Sequence, residues 1–167
     1  AISSDPSAVE ARLQLSRLAM AQADAARGRA LLDQAAEAGG NQPRVLNAVG
    51  EALLRSGEAA GALARFEQAF DAGLPEAGIN VARAQVALGR DNDARRTLAE
   101  VLKLRSGWPP AVEILAMIDV REGRVDDALK RIEALRAADV GGPLVDEMLG
   151  DVQARANRWS DADRTYA

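Results

Sequence analysis

Three series of turn-forming residues recur along the chain at a period of about 34 residues, and nothing else in it constrains the fold so tightly. One slot falls at Ala23, Gly57, Gly89, Gly123 and Asn157, with spacings of 34, 32, 34 and 34. Proline recurs at Pro43, Pro75, Pro109 and Pro143, each 14 residues ahead of the next member of that series. A second glycine series, Gly39, Gly73, Gly107 and Gly141, keeps a 34-residue interval. Three series on one period mark an array of a single supersecondary unit.

Each series has a physical reading. Gly or Asn is what a chain needs where φ turns positive at a helix C-terminus, so the first series ends one helix. Asp24, Glu58, Asp91, Asp126 and Ser160 follow it as N-cap and first-turn residues, so a second helix starts there. The series from Gly39 ends that second helix. The prolines open the next unit at a position whose N–H needs no partner. The unit is helix A, tight turn, helix B, short loop. Five residues into the sequence after each turn comes a small side chain: Gly28, Ala62, Ala94, Ala128 and Ala162. It lies in the first turn of helix B, where helix A crosses, and a larger group there would force the pair apart. Val45, Leu46, Val49, Leu53 and Leu54 recur at helical spacing on one helix A, with Gly50 allowing a close contact, and Leu63, Phe66 and Phe70 do so on its helix B.

Composition agrees. Hydrophobic residues make up 48%, much of it Ala, and aromatics only 3%. That suits closely packed helices and not a sheet. With 167 residues, a single array covering 1–167 is expected, with repeats starting near 9, 43, 75, 109 and 143. The absence of Cys and His excludes thiol–imidazole and serine–imidazole nucleophiles, thiolate or imidazole zinc sites and CxxC redox pairs. The net charge of −4 is spread evenly, with eight basic and ten acidic residues up to position 84 and thirteen and fifteen beyond it. No basic stripe offers nucleic acid a foothold. No apolar run approaches the roughly 18 residues that would cross a bilayer.

The features that could suggest chemistry read better as structure. Asp126 and Asp127 are paired carboxylates, but the equivalent positions in other units make them helix-capping groups. The Gly pairs in "GGNQP" and "GGPL" follow no strand and are turns. Trp108, ahead of Pro109 and Pro110, is expected as a staple on the following helix rather than a ligand anchor. Trp159 is expected in inter-repeat packing. Met20 and Met117 fit either the core or an adaptable surface.

A 34-residue helix–turn–helix with small residues at its eighth and twentieth positions resembles the tetratricopeptide repeat (TPR). The eighth slot holds Ser16, Gly50, Ala82, Ala116 and Gly150, the twentieth the small residues above, and the twenty-seventh Ala35, Ala69, Val101 and Leu135. The large aromatics usual early in helix A are missing, with Arg12, Leu46, Gly78, Val112 and Asp146 in that slot. The resemblance implies an all-α fold, a right-handed superhelical solenoid of stacked helix–turn–helix repeats. "AISSDPS" resembles the close of a preceding repeat, with Ala1 in its twenty-seventh slot and Asp5–Pro6 at its boundary, and "DADRTYA" stops inside a helix B. An internal segment of a longer TPR protein is therefore expected.

In TPR proteins a concave groove lined by helix A, chiefly its second, fifth, ninth, twelfth and thirteenth positions, holds peptides or helices. The fifth positions here are Leu13, Asn47, Ile79, Glu113 and Glu147. The ninth are Arg17, Glu51, Arg83, Met117 and Asp151, and the twelfth Met20, Leu54, Val86 and Val120, followed by Ala154. The resemblance thus implies a mixed groove, apolar with Arg17 and Arg83 toward one end and Glu113, Glu147 and Asp151 toward the other. The TPR clamp for a C-terminal carboxylate wants Lys and Asn in the fifth and ninth slots of one repeat, and neither Leu13/Arg17 nor Asn47/Glu51 supplies it.

The function expected is a non-enzymatic scaffold binding a peptide or protein partner in that groove, with no catalytic residue, cofactor or metal. The partner is neither nucleic acid nor, for this segment, the membrane interior. The alternative is a structural spacer or self-association segment of a larger assembly. The Ala- and Arg-rich style of "LGDVQARANRWSDADRTY" is similar to bacterial envelope TPR proteins of the exopolysaccharide and PEP-CTERM lipoprotein type, and to pilus-assembly TPR proteins. That similarity points to the periplasm or envelope over the cytoplasm.

Overall fold

The turn residues take the left-handed backbone that their spacing calls for. In the computed structural model, which describes residues 6–40 and 42–166, φ is positive at Ala23, Gly57, Gly89, Gly123 and Asn157. Each is followed by a residue whose N–H reaches back five positions: Asp24 to Ala19, Glu58 to Leu53, Arg90 to Gln85, Arg124 to Asp119 and Arg158 to Gln153, at 2.8–2.9 Å. This is the Schellman closure, which satisfies carbonyls left free at a helix end.

The helices between these turns are α1 (Pro6–Ala21), α2 (Ala25–Ala38), α3 (Pro43–Arg55), α4 (Ala59–Asp71), α5 (Pro75–Ala87), α6 (Asp91–Leu104), α7 (Pro109–Arg121), α8 (Val125–Ala137), α9 (Pro143–Arg155) and α10 (Trp159–Tyr166). Among the described residues there is no strand, and no helix is long and apolar enough to cross a membrane. Pro43, Pro75, Pro109 and Pro143 open α3, α5, α7 and α9. The odd-numbered helices are thus the A helices and the even-numbered ones the B helices. Helix α1 starts at Pro6, ahead of the repeat start expected near 9. The readings placed on Ala1, Asp5 and Ala167 lie outside the described residues, as does the side chain of Ser160.

Two details differ from the periodic expectation. The B helices end on positive φ at Gly40, Gly73, Gly107 and Asp139, so Gly39 and Gly141 are not the terminators of their helices. Gly39 keeps a right-handed φ of −78° and donates to Ala35. After α8, Asp139 takes the left-handed turn, as Asp can at modest cost, and Gly141 and Gly142 shape the link to Pro143. Capping also varies. The carboxylate of Asp24 accepts the Arg27 N–H at 3.1 Å. Glu58 caps nothing with its side chain and pairs instead with Arg29.

The chain divides into two compact units, Ala1–Ala94 and Arg95–Ala167. In the first, α1 packs on α2, α3 on α4 and α4 on α5, while α3 also touches its neighbouring A helices α1 and α5. Its core gathers Leu32, Val49, Leu53, Phe66, Ala69 and Ala77. In the second, α7 packs on α8, α8 on α9 and α9 on α10, and α7 and α9 meet as neighbouring A helices. Its core is built on Val112, Ile132, Leu135, Val145 and Leu149.

Small residues sit where the helices come closest. Ala62, Ala94, Ala128 and Ala162 are buried. A Cβ placed on Gly50 would lie 2.6 Å from the Phe66 ring, and one on Gly28 2.7 Å from Met20 Cε. The seventh and tenth slots of the A helices are buried at Val49, Val81, Leu115 and Leu149 and at Ala52, Ala84, Ile118 and Val152. Their counterparts on α1, Leu15 and Leu18, are 47% and 55% exposed.

Two substitutions test this steric account. Gly50→Ala adds one methyl against a buried ring and lowers stability by about 1–3 kcal/mol, although Ala is the better helix former. Ala23→Gly, at a φ of +61°, relieves a Cβ clash and raises stability by up to about 1 kcal/mol. Thermal unfolding followed by circular dichroism reads both signs. A Gly50→Ala protein as stable as the parent would remove the close-approach role given to this glycine.

Candidate functional site: clefts between neighbouring A helices

The exposed sides of the A helices carry most of the groove residues expected from sequence, and neighbouring A helices form clefts within each unit. In the first unit, Arg17 and Met20 of α1 meet Ala52 and Arg55 of α3 and its C-cap Ser56 around an open cleft of about 150 Å³. Glu51, Leu54 and Arg55 of α3 meet Asn80 and Arg83 of α5 around another of about 450 Å³. A ladder of hydrogen bonds crosses the second. Arg83 Nη1 donates to Asn80 Oδ1 (3.4 Å), Asn80 Nδ2 to Asn47 Oδ1 (2.9 Å), and Asn47 Nδ2 to Glu51 Oε1 (2.9 Å). Arg55 lies 4.0 Å from the other oxygen of Glu51. The polar groups of this cleft therefore largely satisfy one another.

In the second unit, Glu113 and Met117 of α7 face Leu144, Glu147, Asp151 and Arg155 of α9 across a cleft of about 160 Å³. Met148, Val152 and Ile132 form its floor. Four expected residues, Glu113, Met117, Glu147 and Asp151, come together here. Leu144 and Arg155 were not named from the sequence, yet they occupy the second and thirteenth repeat positions. Writing out those two slots would have found them.

Leu13 and Ile79 do not line an open face. They are 7% and 4% exposed, and Leu13 joins the core of the first unit. Their slot lies at the edge of a helix seam. A polar occupant such as Asn47, Glu113 or Glu147 stays half-buried or exposed, whereas an aliphatic one gains by turning into the seam. Val86 and Val120 are half-buried and line none of these three clefts; Val120 packs against the core of the second unit. Trp108 is half-buried at the start of α7 with the Arg105 guanidinium 4.7 Å above its ring. Trp159 is 61% exposed, not packed between repeats as expected. The carboxylates of Asp126 and Asp127 turn to Arg158 (2.7 Å) and Lys130 (4.0 Å) as surface ion pairs.

Helix α7 is held from its other side by a charged cluster that the sequence reading missed. Asp119 is 1% exposed. Its Oδ1 accepts from Arg95 Nη2 (2.7 Å) and from Arg124 Nε and Nη2 (3.2 and 3.0 Å), and its Oδ2 accepts from Arg131 Nε (2.8 Å). Glu122 takes a second bond from Arg95 at 2.7 Å and pairs with Arg124. Helices α6, α7 and α8 and the α7–α8 turn are thus tied to one carboxylate. Burial by itself raises the Asp119 pKa, but the hydrogen bonds from Arg95, Arg131 and Arg124 outweigh it, and the pKa falls below the ordinary 3.8. The pKa of Glu122 is also lowered, chiefly by its bond from Arg95. The signal for this site was a charge in the eleventh repeat slot, which elsewhere holds Ala19, Leu53, Gln85 and Gln153.

The tetratricopeptide repeat family model matches residues 53–118. No curated protein matches the chain. Among solved structures, a thermophilic TPR protein of Thermus thermophilus aligns with 17% identity and a TM-score of 0.71, over 95% of this chain and 88% of its own. PilW, described as a widely conserved type IV pilus biogenesis factor, aligns with 18% identity and a TM-score of 0.69, over 98% and 77%. YrrB, described as a TPR protein with an unusual peptide-binding site, aligns with 20% identity and a TM-score of 0.55, over 92% and 80%. These likenesses establish the fold as stacked helix–turn–helix repeats of the TPR solenoid type.

Because the folded-state pKa of Asp119 is depressed, its contribution to stability is fully present above 3.8 and is lost as the pH falls through the folded-state value. Asp119→Asn is expected to lower stability at neutral pH by about 3 kcal/mol, the low end for breaking a buried pair, since the guanidiniums keep access to water. Denaturant titrations of both proteins at a series of pH values should show that gap narrowing below pH 3.8. A gap unchanged down to strongly acid pH would mean that the charge of Asp119 does not hold α7.

Proposed function

We propose that this chain, which matches the tetratricopeptide repeat model over residues 53–118 and shares the fold of solved TPR proteins, is a non-enzymatic scaffold holding a peptide or protein partner against its A helices. The observation that carries this reading is the placement of the clefts. The three between neighbouring A helices each combine apolar side chains with charged ones that reach solvent, whereas a further cleft of about 200 Å³ at Arg136, Asp139 and Val140 lies against the α8–α9 link. Arg17, Met20, Glu51, Leu54, Arg83, Glu113, Met117, Glu147 and Asp151 are the contact residues, with Asn47 held between Asn80 and Glu51. The peptide-binding site in the description of YrrB supports a partner of this kind. The sequence period continues past the division between the two units at residues 94 and 95, which supports reading the five repeats as one array. The likeness to PilW supports a place in a bacterial envelope assembly.

A second reading, a self-association or spacer segment, is favoured by one observation. Leu15 and Leu18 are exposed in slots that the other four A helices bury, so α1 presents an apolar face suited to another helix pair.

Two measurements separate these readings. Affinity capture with Arg83→Glu and Met117→Glu proteins should lose partner relative to the parent; retention of the same partners by both variants would end the A-helix assignment. Light scattering over a concentration series should show growth in mass if α1 mediates association, with Leu15→Gln/Leu18→Gln suppressing it. A monomer at every concentration removes the second reading.

A further inference from the structure

We propose that the cleft between α7 and α9 takes a cationic amphipathic segment of a partner protein, with its Lys or Arg side chains on Glu113 and Glu147 and an apolar side chain among Met117, Leu144 and Met148. The inference rests on the scaffold reading above and names the chemistry of the partner at one of its clefts.

Three observations carry it. The first is unspent charge. Among the described residues, Glu113 and Glu147 make no hydrogen bond or ion pair, whereas Glu51 in the α3–α5 cleft is engaged by Asn47 and Arg55. A carboxylate left open beside an apolar wall attracts a cation more strongly than one already paired. Glu113 and Glu147 also occupy the same slot on neighbouring A helices, so the two negative charges flank one cleft.

The second is the apolar lining. Leu144 is 45% exposed at the cleft edge, and two methionines continue the surface inward. Thioether side chains adapt to a range of apolar shapes. A purely polycationic strand would leave this surface wet, and an acidic segment would meet Glu113, Glu147 and Asp151 as like charges.

The third is a limit on where the occupant can carry its positive charge. Arg155 lies on α9 two turns beyond Glu147, about 12 Å along the helix. It repels a cation at that end, so the positive charge of the occupant is confined to the Glu113/Glu147 end.

The test uses three synthetic peptides of equal length built from Lys and Leu, from Lys and Ser, and from Glu and Leu, with binding read by fluorescence anisotropy. The Lys/Leu peptide should bind most tightly and weaken as salt rises from about 0.05 to about 0.5 M. Glu113→Gln/Glu147→Gln should weaken it about tenfold or more, and Leu144→Ser should weaken it several-fold. Glu100→Gln/Glu133→Gln removes the same charge from exposed positions on α6 and α8 and should leave affinity within about twofold. Equal losses in the cleft and control pairs would reduce the effect to net charge and overturn the inference, as would equal binding of Lys/Ser and Lys/Leu. Tighter binding of Glu/Leu, weakened by Arg83→Glu, would overturn the inference while sparing the scaffold reading. That reading falls only with unchanged partner capture by the Arg83→Glu and Met117→Glu proteins.

Discussion

The structure depends on how closely two antiparallel helices can approach. Where helix B begins, Ala62, Ala94, Ala128 and Ala162 are buried and offer only a methyl group. At Gly50 even a methyl would meet the Phe66 ring. Close packing makes each ångström of separation costly, because dispersion contacts fall away steeply with distance. Once the small residues set the spacing within a pair, the larger side chains of α2, α4, α8 and α9 have seams of fixed depth to fill. The A helices are then left with a side that nothing in their own pair covers.

Helix α7 carries a buried charge cluster on one side and an open cleft on the other. Asp119 lies two residues past Met117, about 200° around the helix. Its carboxylate faces the guanidiniums of Arg95, Arg124 and Arg131, while Glu113 and Met117 face the α9 cleft. The three guanidiniums offset the cost of burying that charge, and Glu122 balances part of their excess. The opposite stripe carries Glu113, which among the described residues has no internal partner. The first unit is arranged differently: the ladder from Arg83 through Asn80 and Asn47 to Glu51 uses its polar groups internally.

The turn slots were legible because they answer to local chemistry. A left-handed residue two positions past a helix is demanded by the backbone alone, and Gly57, Gly89, Gly123 and Asn157 supply it. The misassigned terminators Gly39 and Gly141 mark the limit of that logic, since a glycine beside a turn need not be the residue that turns. The lining of the clefts was legible only in part. Glu113, Met117, Glu147 and Asp151 did come together in one cleft, but Leu13 and Ile79 turned inward. A slot at the edge of a seam is decided by whether its occupant gains more from water or from burial.

By itself the sequence determined the all-α class, the period and the pairing of helices, because these follow from short-range spacing and from the size of single side chains. Tertiary structure alone decided that Asp119 would be a buried hub, that Glu58 would abandon its cap for Arg29, and that Glu113 and Glu147 would stand without partners among the described residues. Each of these is a contest between solvent and partners brought close by packing, and no local pattern records which partners arrive.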